Sequence, residues 1–479
     1  MNVKETCPYA PHVLATLLLV SAPGVADDRI ELPNIVAFPN ADGVAATYST
    51  AGSIDLKNPF FQSLGSNGRA CVSCHQPNEG WTITPAGLRQ RFHDTRGTDP
   101  VFRTNDGSNS PKADVSTVES RRSAYSMLLS KGLIRVGIGI PVDAEFELAA
   151  VDDPYGYASA KELSLFRRPL PSTNLKFLST VMWDGRETFK DPASRDCILG
   201  MTNCFASIHF DLIDQANAAT TGHAQGQPIS DAQREAIFTF ETGLFTAQIF
   251  DNQAGSLTVH GALGGPIALS QQSFYFGIND VVSGDYRTGA LFSPNVFKIY
   301  QSWNSPAPRG RDEGDDRDRH DARLSVARGE ALFNTKPIRI TGVKGLNDDL
   351  SVPVLQGTCT TCHDTPSAGN HSIPAPLDIG LTDATRRTPD LPLYTLRHKQ
   401  APFETIQTTD PGRALITGKW KDIGRFKGPI LRALATRAPY FHNGSANNFD
   451  AVLDFYNKRF DIGLTDDEID DLVAFLGTL

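Results

Sequence analysis

The strings Cys71-Val-Ser-Cys74-His75 and Cys359-Thr-Thr-Cys362-His363 constrain this chain more than any other feature. Two thiols separated by two residues span one edge of a porphyrin and form thioethers with its vinyl groups, and the histidine that follows reaches the iron from one face. A chain with two such strings is expected to fold around two covalently attached c-type haems. Zinc sites and thiol redox centres also use Cys-x-x-Cys, but neither requires a histidine directly after each pair. Cys71, Cys74, Cys359 and Cys362 are therefore read as attachment residues, and His75 and His363 as proximal iron ligands.

The N-terminus points to export. Lys4 precedes an apolar run from Val13 to Val20, and Gly24 and Ala26 occupy the small-residue positions that signal peptidase reads. Residues 1–26 are expected to be a signal peptide and the mature protein to be periplasmic. No other run approaches the ~18 apolar residues of a spanning helix, so no membrane span is expected. The net charge of -9 argues against nucleic acid, whose binders carry a basic face. Of the 7 cysteines, Cys197 and Cys204 lie outside the signal and the haem strings. In an exported chain they read as a disulfide closing a short loop, with two buried thiols as the alternative.

The expected fold class is mainly α: two cytochrome c-like haem domains with an inserted, partly irregular middle region. Residues 27–305 would form an N-terminal haem domain with insertions, 306–323 a charged linker and 324–479 a C-terminal haem domain. Asn58–Gly65 and Val326–Phe333 each read as a helix upstream of a haem string, an approximate internal duplication. Ser230-Asp-Ala-Gln233 is a capping-box pattern opening a helix through Ile237, Phe240, Leu244 and Phe245. Apolar stripes predict closing helices over Asn448–Lys458 and Asp466–Leu476. Strand signals are few and short, at Ile134–Ile140 and Ile338–Ile340.

The sixth coordination position separates an electron carrier, which fills it, from a peroxidase, which leaves one iron open. The chain has only four Met, at 1, 127, 182 and 201, so nothing after the second haem string supplies that common ligand. The local candidates are His371, His398, His442 and several tyrosines. Tyr456 lies on the apolar stripe of a closing helix, where an aromatic is ordinarily core, although tyrosine is a known haem ligand.

Four further stretches resemble the bacterial di-haem cytochrome c peroxidase/MauG superfamily: Val181-Met-Trp-Asp-Gly-Arg186, Ala236–Leu244, Phe426-Lys-Gly-Pro-Ile-Leu-Arg432 and Ala438-Pro-Tyr-Phe-His-Asn-Gly444. The resemblance implies that Trp183 lies between the haems and relays electrons. It sets Tyr456 where peroxidases of the family place Met and MauG-like members place Tyr, making Tyr456 an iron ligand of the second haem. Asp211–Ala216 resembles the family's distal segment, with Gln215 as the distal Gln. Ten residues on, the family's Glu is Gln225, which cannot exchange a proton. His223, two positions away, is the hypothesised acid-base residue, and a surface histidine in a polar loop is the alternative. His93, 18 residues past His75, matches a dissociable ligand of the first haem in many family peroxidases, but its neighbours look solvated. The family also binds calcium between the haems. Gly428 and Ile430 retain carbonyl positions for it, whereas the Asn position reads Arg168, which speaks against the ion.

The resemblance implies an enzyme that reduces hydrogen peroxide. Electrons from a small cytochrome or cupredoxin would pass through the second haem and Trp183. One alternative is a MauG-like enzyme whose high-valent di-haem state oxidises residues of a partner protein. Another is a non-enzymatic di-haem electron carrier.

Overall fold

The computed structural model describes residues 30–188, 204–304 and 314–479. The expected signal peptide over 1–26 lies outside the described residues, as does Cys197, the expected disulfide partner of Cys204. None of the described helices is long and apolar enough to cross a membrane.

Local sequence dictates the closing helices. Asn448 accepts a hydrogen bond from Ala451 N and caps the helix Phe449–Phe460. Thr465 and Glu468 form a reciprocal capping box at the start of Asp466–Gly477. Both helices begin and end within two residues of the predicted limits. The second packs across the long helix Gly314–Thr335, and Phe297, Phe333, Phe475 and Leu476 fill the core between them. At the crossing, a Cβ on Gly329 would stand 1.9 Å from the Asp471 carbonyl oxygen, so only glycine lets the two backbones approach this closely. Arg328 and Ser325 both donate to the Asp471 carboxylate and tie the same crossing.

Three expectations change in the folded chain. The helix Gly314–Thr335 begins inside the stretch expected to be a linker: Arg is a good helix former, and Asp, a weak one in a helix interior, is favoured near an N-terminus by the helix dipole. Its counterpart upstream of the first haem string is a single 3-10 turn, Pro59–Phe61. There Gly65 bridges Gly226 with the Ala224 carbonyl 1.9 Å from where a Cβ would sit, which draws the chain into an extended path. The helix opened at Ser230 runs Asp231–Thr242, with its capping box as expected, but Leu244 and Phe245 fall in the strand Leu244–Asp251. That strand pairs antiparallel with Gly43–Ser49, a partner some 200 residues away that no local period reveals.

The mainly α expectation holds only in part. Ten α-helices among the described residues are joined by thirteen short strands in five small sheets. The strands Phe146–Asp152, Leu393–His398 and Thr405–Thr408 form one sheet, so the two halves of the chain share hydrogen bonds as well as a core.

Candidate functional site

Two cavities, each lined by one Cys-x-x-Cys-His string, lie on either side of a common wall. In the first, a 3-10 turn Cys71–Ser73 brings the two thiols to one side, and His75 N donates to Cys71 O at 3.0 Å. His75 Nδ1 donates to the Trp81 carbonyl at 3.0 Å, which leaves Nε2 as the free ring nitrogen. Trp81 is fully buried and donates to Thr47 at 2.9 Å, anchoring that carbonyl. Burial pushes His75 down to about 4, so its imidazole is neutral and can donate a lone pair to a metal.

The second cavity repeats the device. The turn Cys359–Thr361 presents the thiols, and His363 Nδ1 donates to the Gly369 carbonyl at 2.6 Å. Burial pushes His363 down to about 4 as well. All four thiols are unpaired. Free thiol pairs, a neutral oriented imidazole and largely apolar walls suit a c-type haem in each cavity.

The wall between the cavities contains Trp183, Arg168, Pro169, Pro171 and Lys427, which line both. Trp183 Nε1 donates to the Arg168 carbonyl at 2.7 Å, and Lys427 N donates to the Trp183 carbonyl at 2.9 Å. Its neighbour Asp184 is buried against Arg167, which also pairs with Asp410 at 2.7 Å. Burial alone would raise Asp184, but the Arg167 and Arg186 charges outweigh it and hold the carboxyl near 2. The loop carrying the indole is thus fixed by ion pairs in the protein interior.

Calcium does not fit this wall. Arg168 is buried, and its guanidinium donates to the carbonyls of Lys131, Gly132, Ile83 and Arg437 at 2.8–3.3 Å. The Ile430 carbonyl is taken by Arg437. A fixed guanidinium thus stands at the position of the family's Asn ligand, and a second one faces the Ile430 carbonyl.

Gln215 and His223 both line the first cavity, Gln215 from the helix Cys204–Gly222 and His223 from the residue after it. His223 Nδ1 stands 2.6 Å from Asp106 Oδ2, and the other oxygen of Asp106 accepts from Arg69. Burial would raise Asp106, but the His223 hydrogen bond and the Arg69 charge hold its carboxyl below the usual range. Gln225 has a left-handed backbone (φ 53°) and is not part of the cavity lining. His93 is 83% exposed and bonds Asp94, on the outer face of the helix Pro85–Thr95 and away from the lining residues.

In the second cavity Tyr456, His371 and His442 all contribute to the lining, whereas His398 does not. Tyr456 projects from the helix Phe449–Phe460 into the apolar cluster that also holds Cys359 and Cys362. Burial raises its phenol well above the ordinary range. His442 stacks on Phe426 at 4.1 Å and lies 6.1 Å from the Trp183 ring.

Sequence reasoning missed two groups of the first cavity. Asp106 and Arg69 sit in loops with no motif, and only the fold brings them to His223. Glu241 lies within the family-like stretch Ala236–Leu244, yet its proton was not foreseen as labile. Its carboxyl is buried in the cavity wall and burial pushes it up to about 7, with a Ser172 hydrogen bond opposing.

Among known proteins, no family model matches the chain. It is 29% identical over 174 residues to the cytochrome-c peroxidase IdrP1 of Pseudomonas sp. (strain SCT), covering 32% of this chain and 40% of that protein. It is 31% identical over 140 residues to the IdrP1 of Denitromonas iodatirespirans, covering 25% and 36%. Over 79 residues it is 38% identical to the cytochrome c peroxidase Ccp of Escherichia coli (strain K12), covering 16% and 17%. The chain therefore spans 40% or less of the length of these relatives. The crystal structure of the diheme peroxidase BthA from Burkholderia thailandensis aligns over 94% of both chains at 16% identity, with a TM-score of 0.30, too low for a likeness of fold to be argued.

Proposed function

We propose that this chain, part of which resembles bacterial cytochrome-c peroxidases, reduces hydrogen peroxide to water in the periplasm. The observation that carries the reading is the shared wall: Trp183 lines both cavities, one of which also holds a carboxylate-tethered histidine. When bound, the two haems would supply the redox-active iron that the reduction of peroxide requires. Cys71, Cys74 and His75 would hold one haem, and Cys359, Cys362, His363 and Tyr456 the other.

The chain's own residues then handle protons and orientation. Hydrogen peroxide takes two electrons and two protons to give two waters. One proton must leave one oxygen and arrive on the other, which needs a group that exchanges protons within reach. His223 has Nδ1 committed to Asp106, so Nε2 is the atom that takes and returns it. Asp106, held by Arg69, is a positioning residue that fixes the tautomer. Gln215 would orient the peroxide. Electrons from a small cytochrome or cupredoxin would reach this cavity through the second site and the Trp183 indole.

A second reading is favoured by Tyr456 in the second cavity. A phenolate ligand stabilises oxidised iron, which suits a MauG-like enzyme that stores oxidising equivalents and oxidises a partner protein. Steady-state oxidation of reduced cytochrome c by peroxide separates the two. The peroxidase reading expects turnover, and His223→Ala should lower it by roughly 10²–10⁴. An unchanged rate in that variant would remove His223 from the mechanism. Negligible turnover of the wild type, with a long-lived oxidised state, would favour the MauG-like reading. A high-spin ferric signal in the resting protein would exclude the non-enzymatic carrier.

A further inference from the structure

Behind the second haem string lies a cluster that neither reading uses. Asp280, Asp364 and His371 are 0%, 0% and 5% exposed, and one ligand atom from each lies within 4.8 Å of the others. Asp280 Oδ1, Asp364 Oδ2 and His371 Nδ1 are all buried and have no hydrogen-bond partner. His371 Nδ1 stands 3.2 Å from Asp364 Oδ2, within ion-pair range but outside hydrogen-bond geometry.

The remaining oxygen of each carboxylate is hydrogen-bonded. Asp280 Oδ2 accepts from Val282 N, Ser283 N and Ser283 Oγ, and Asp364 Oδ1 accepts from Ser372 N. Backbone bonds hold the two loops in register: Gly277 N donates to the Ser372 carbonyl at 3.1 Å, and Asn279 Nδ2 donates to the Asp364 carbonyl at 3.1 Å. The three orphaned atoms are thus fixed by a built scaffold. Among the described residues, no Lys or Arg pairs with either carboxylate. Two buried carboxylates with free lone pairs and no cation are strongly unfavourable, and a bound cation removes that penalty.

We propose that Asp280, Asp364 and His371 bind one divalent transition-metal ion, distinct from both haem irons. Two carboxylate oxygens and one imidazole nitrogen match Zn²⁺ or Mn²⁺ better than calcium, which takes oxygen ligands alone. Two carboxylates neutralise the ion's charge. Ligands bonded at about 2.1 Å in a tetrahedron lie roughly 3.4 Å apart, so the observed spacing needs only a small contraction. The loop that Asp364 and His371 share includes Gly369, whose carbonyl orients His363. The ion would brace the mounting of the second proximal histidine.

The test uses the holoprotein with both haems attached. Elemental analysis should find about one Zn or Mn per chain beyond the haem iron, or one equivalent taken up when Zn²⁺ or Mn²⁺ is added to chelator-treated protein. Asp280→Asn, which lies far in sequence from the haem ligands, should lose that equivalent while keeping both haem spectra. A wild-type chain that takes up neither ion, or an Asp280→Asn chain that takes up as much as wild type, overturns the proposal. If the variant fails to fold, the wild type alone decides: chelation should lower its melting temperature and Zn²⁺ or Mn²⁺ should restore it. An unchanged melting temperature means that a shared proton satisfies the cluster instead. Neither result depends on peroxide turnover, so the site and the proposed activity can fail separately.

Discussion

At the scale of single residues, the first cavity contains two groups with opposite electrostatic fates. Asp106 is held ionised by His223 and Arg69, whereas Glu241 has only a Ser172 hydrogen bond against full burial and rises to about 7. Folded Glu241 keeps its proton between its ordinary value of 4.5 and about 7, while the unfolded chain has released it. The folded state therefore binds more protons in that window, and stability falls as pH rises through it. The loss should approach about 3 kcal/mol and be complete above pH 7. Glu241→Gln should flatten this slope, as read from denaturant unfolding of the holoprotein at pH 5 and pH 8. Equal slopes in the two proteins would mean that Glu241 is ionised throughout. The proton on Glu241 was not legible in the sequence, because the residue type is visible but its burial comes from the packing of the helix Asp231–Thr242 on the cavity.

At the scale of elements, the closing helices and their caps were legible, since Asn448, Thr465 and Glu468 act on neighbours three residues away. The crossing of Gly314–Thr335 over Asp466–Gly477 was not. It depends on Gly329, a residue that looks like a weak point in a helix until the Asp471 carbonyl is placed 1.9 Å from its missing Cβ. Gly329→Ala should gain helix propensity yet lose stability, by about 1–3 kcal/mol, because overpacking outweighs the propensity gain of about 1 kcal/mol. A melting temperature equal to or above that of the wild type would refute this. The strands tell the same story. Leu244–Asp251 continues an apolar run from a helix, and only its pairing with Gly43–Ser49 makes it a strand.

At the scale of the whole molecule, the two cavities matter because they share a wall. Trp183 and Lys427 come from segments more than 240 residues apart in the chain, yet they are joined by a 2.9 Å hydrogen bond. If the indole relays electrons, Trp183→Phe should leave both haems attached and slow electron transfer between them by an order of magnitude or more, as read by stopped-flow spectroscopy after peroxide mixing. A transfer rate equal to wild type would make Trp183 a packing residue. Because its Nε1 donates to the Arg168 carbonyl, a shift in that carbonyl's neighbours would accompany any loss of fold, and intact haem spectra separate the two outcomes.

The sequence by itself placed the two Cys-x-x-Cys-His strings, whose proposed role in attaching haem needs only residues within five positions of one another. It also marked Trp183, Tyr456 and Gln215 through motifs and His223 by its nearness to one; Trp183 lines both cavities, Tyr456 the second, and Gln215 and His223 the first. What only the tertiary structure decided is everything that acts across distance. It left His93 on the surface, tied His223 to Asp106 and Arg69, filled the inter-cavity carbonyls with Arg168, and gathered Asp280 to Asp364 and His371. The physical reason is the range of the forces involved. Caps and haem strings work through near neighbours, whereas burial, ion pairing and the convergence of lone pairs exist only once distant segments have packed.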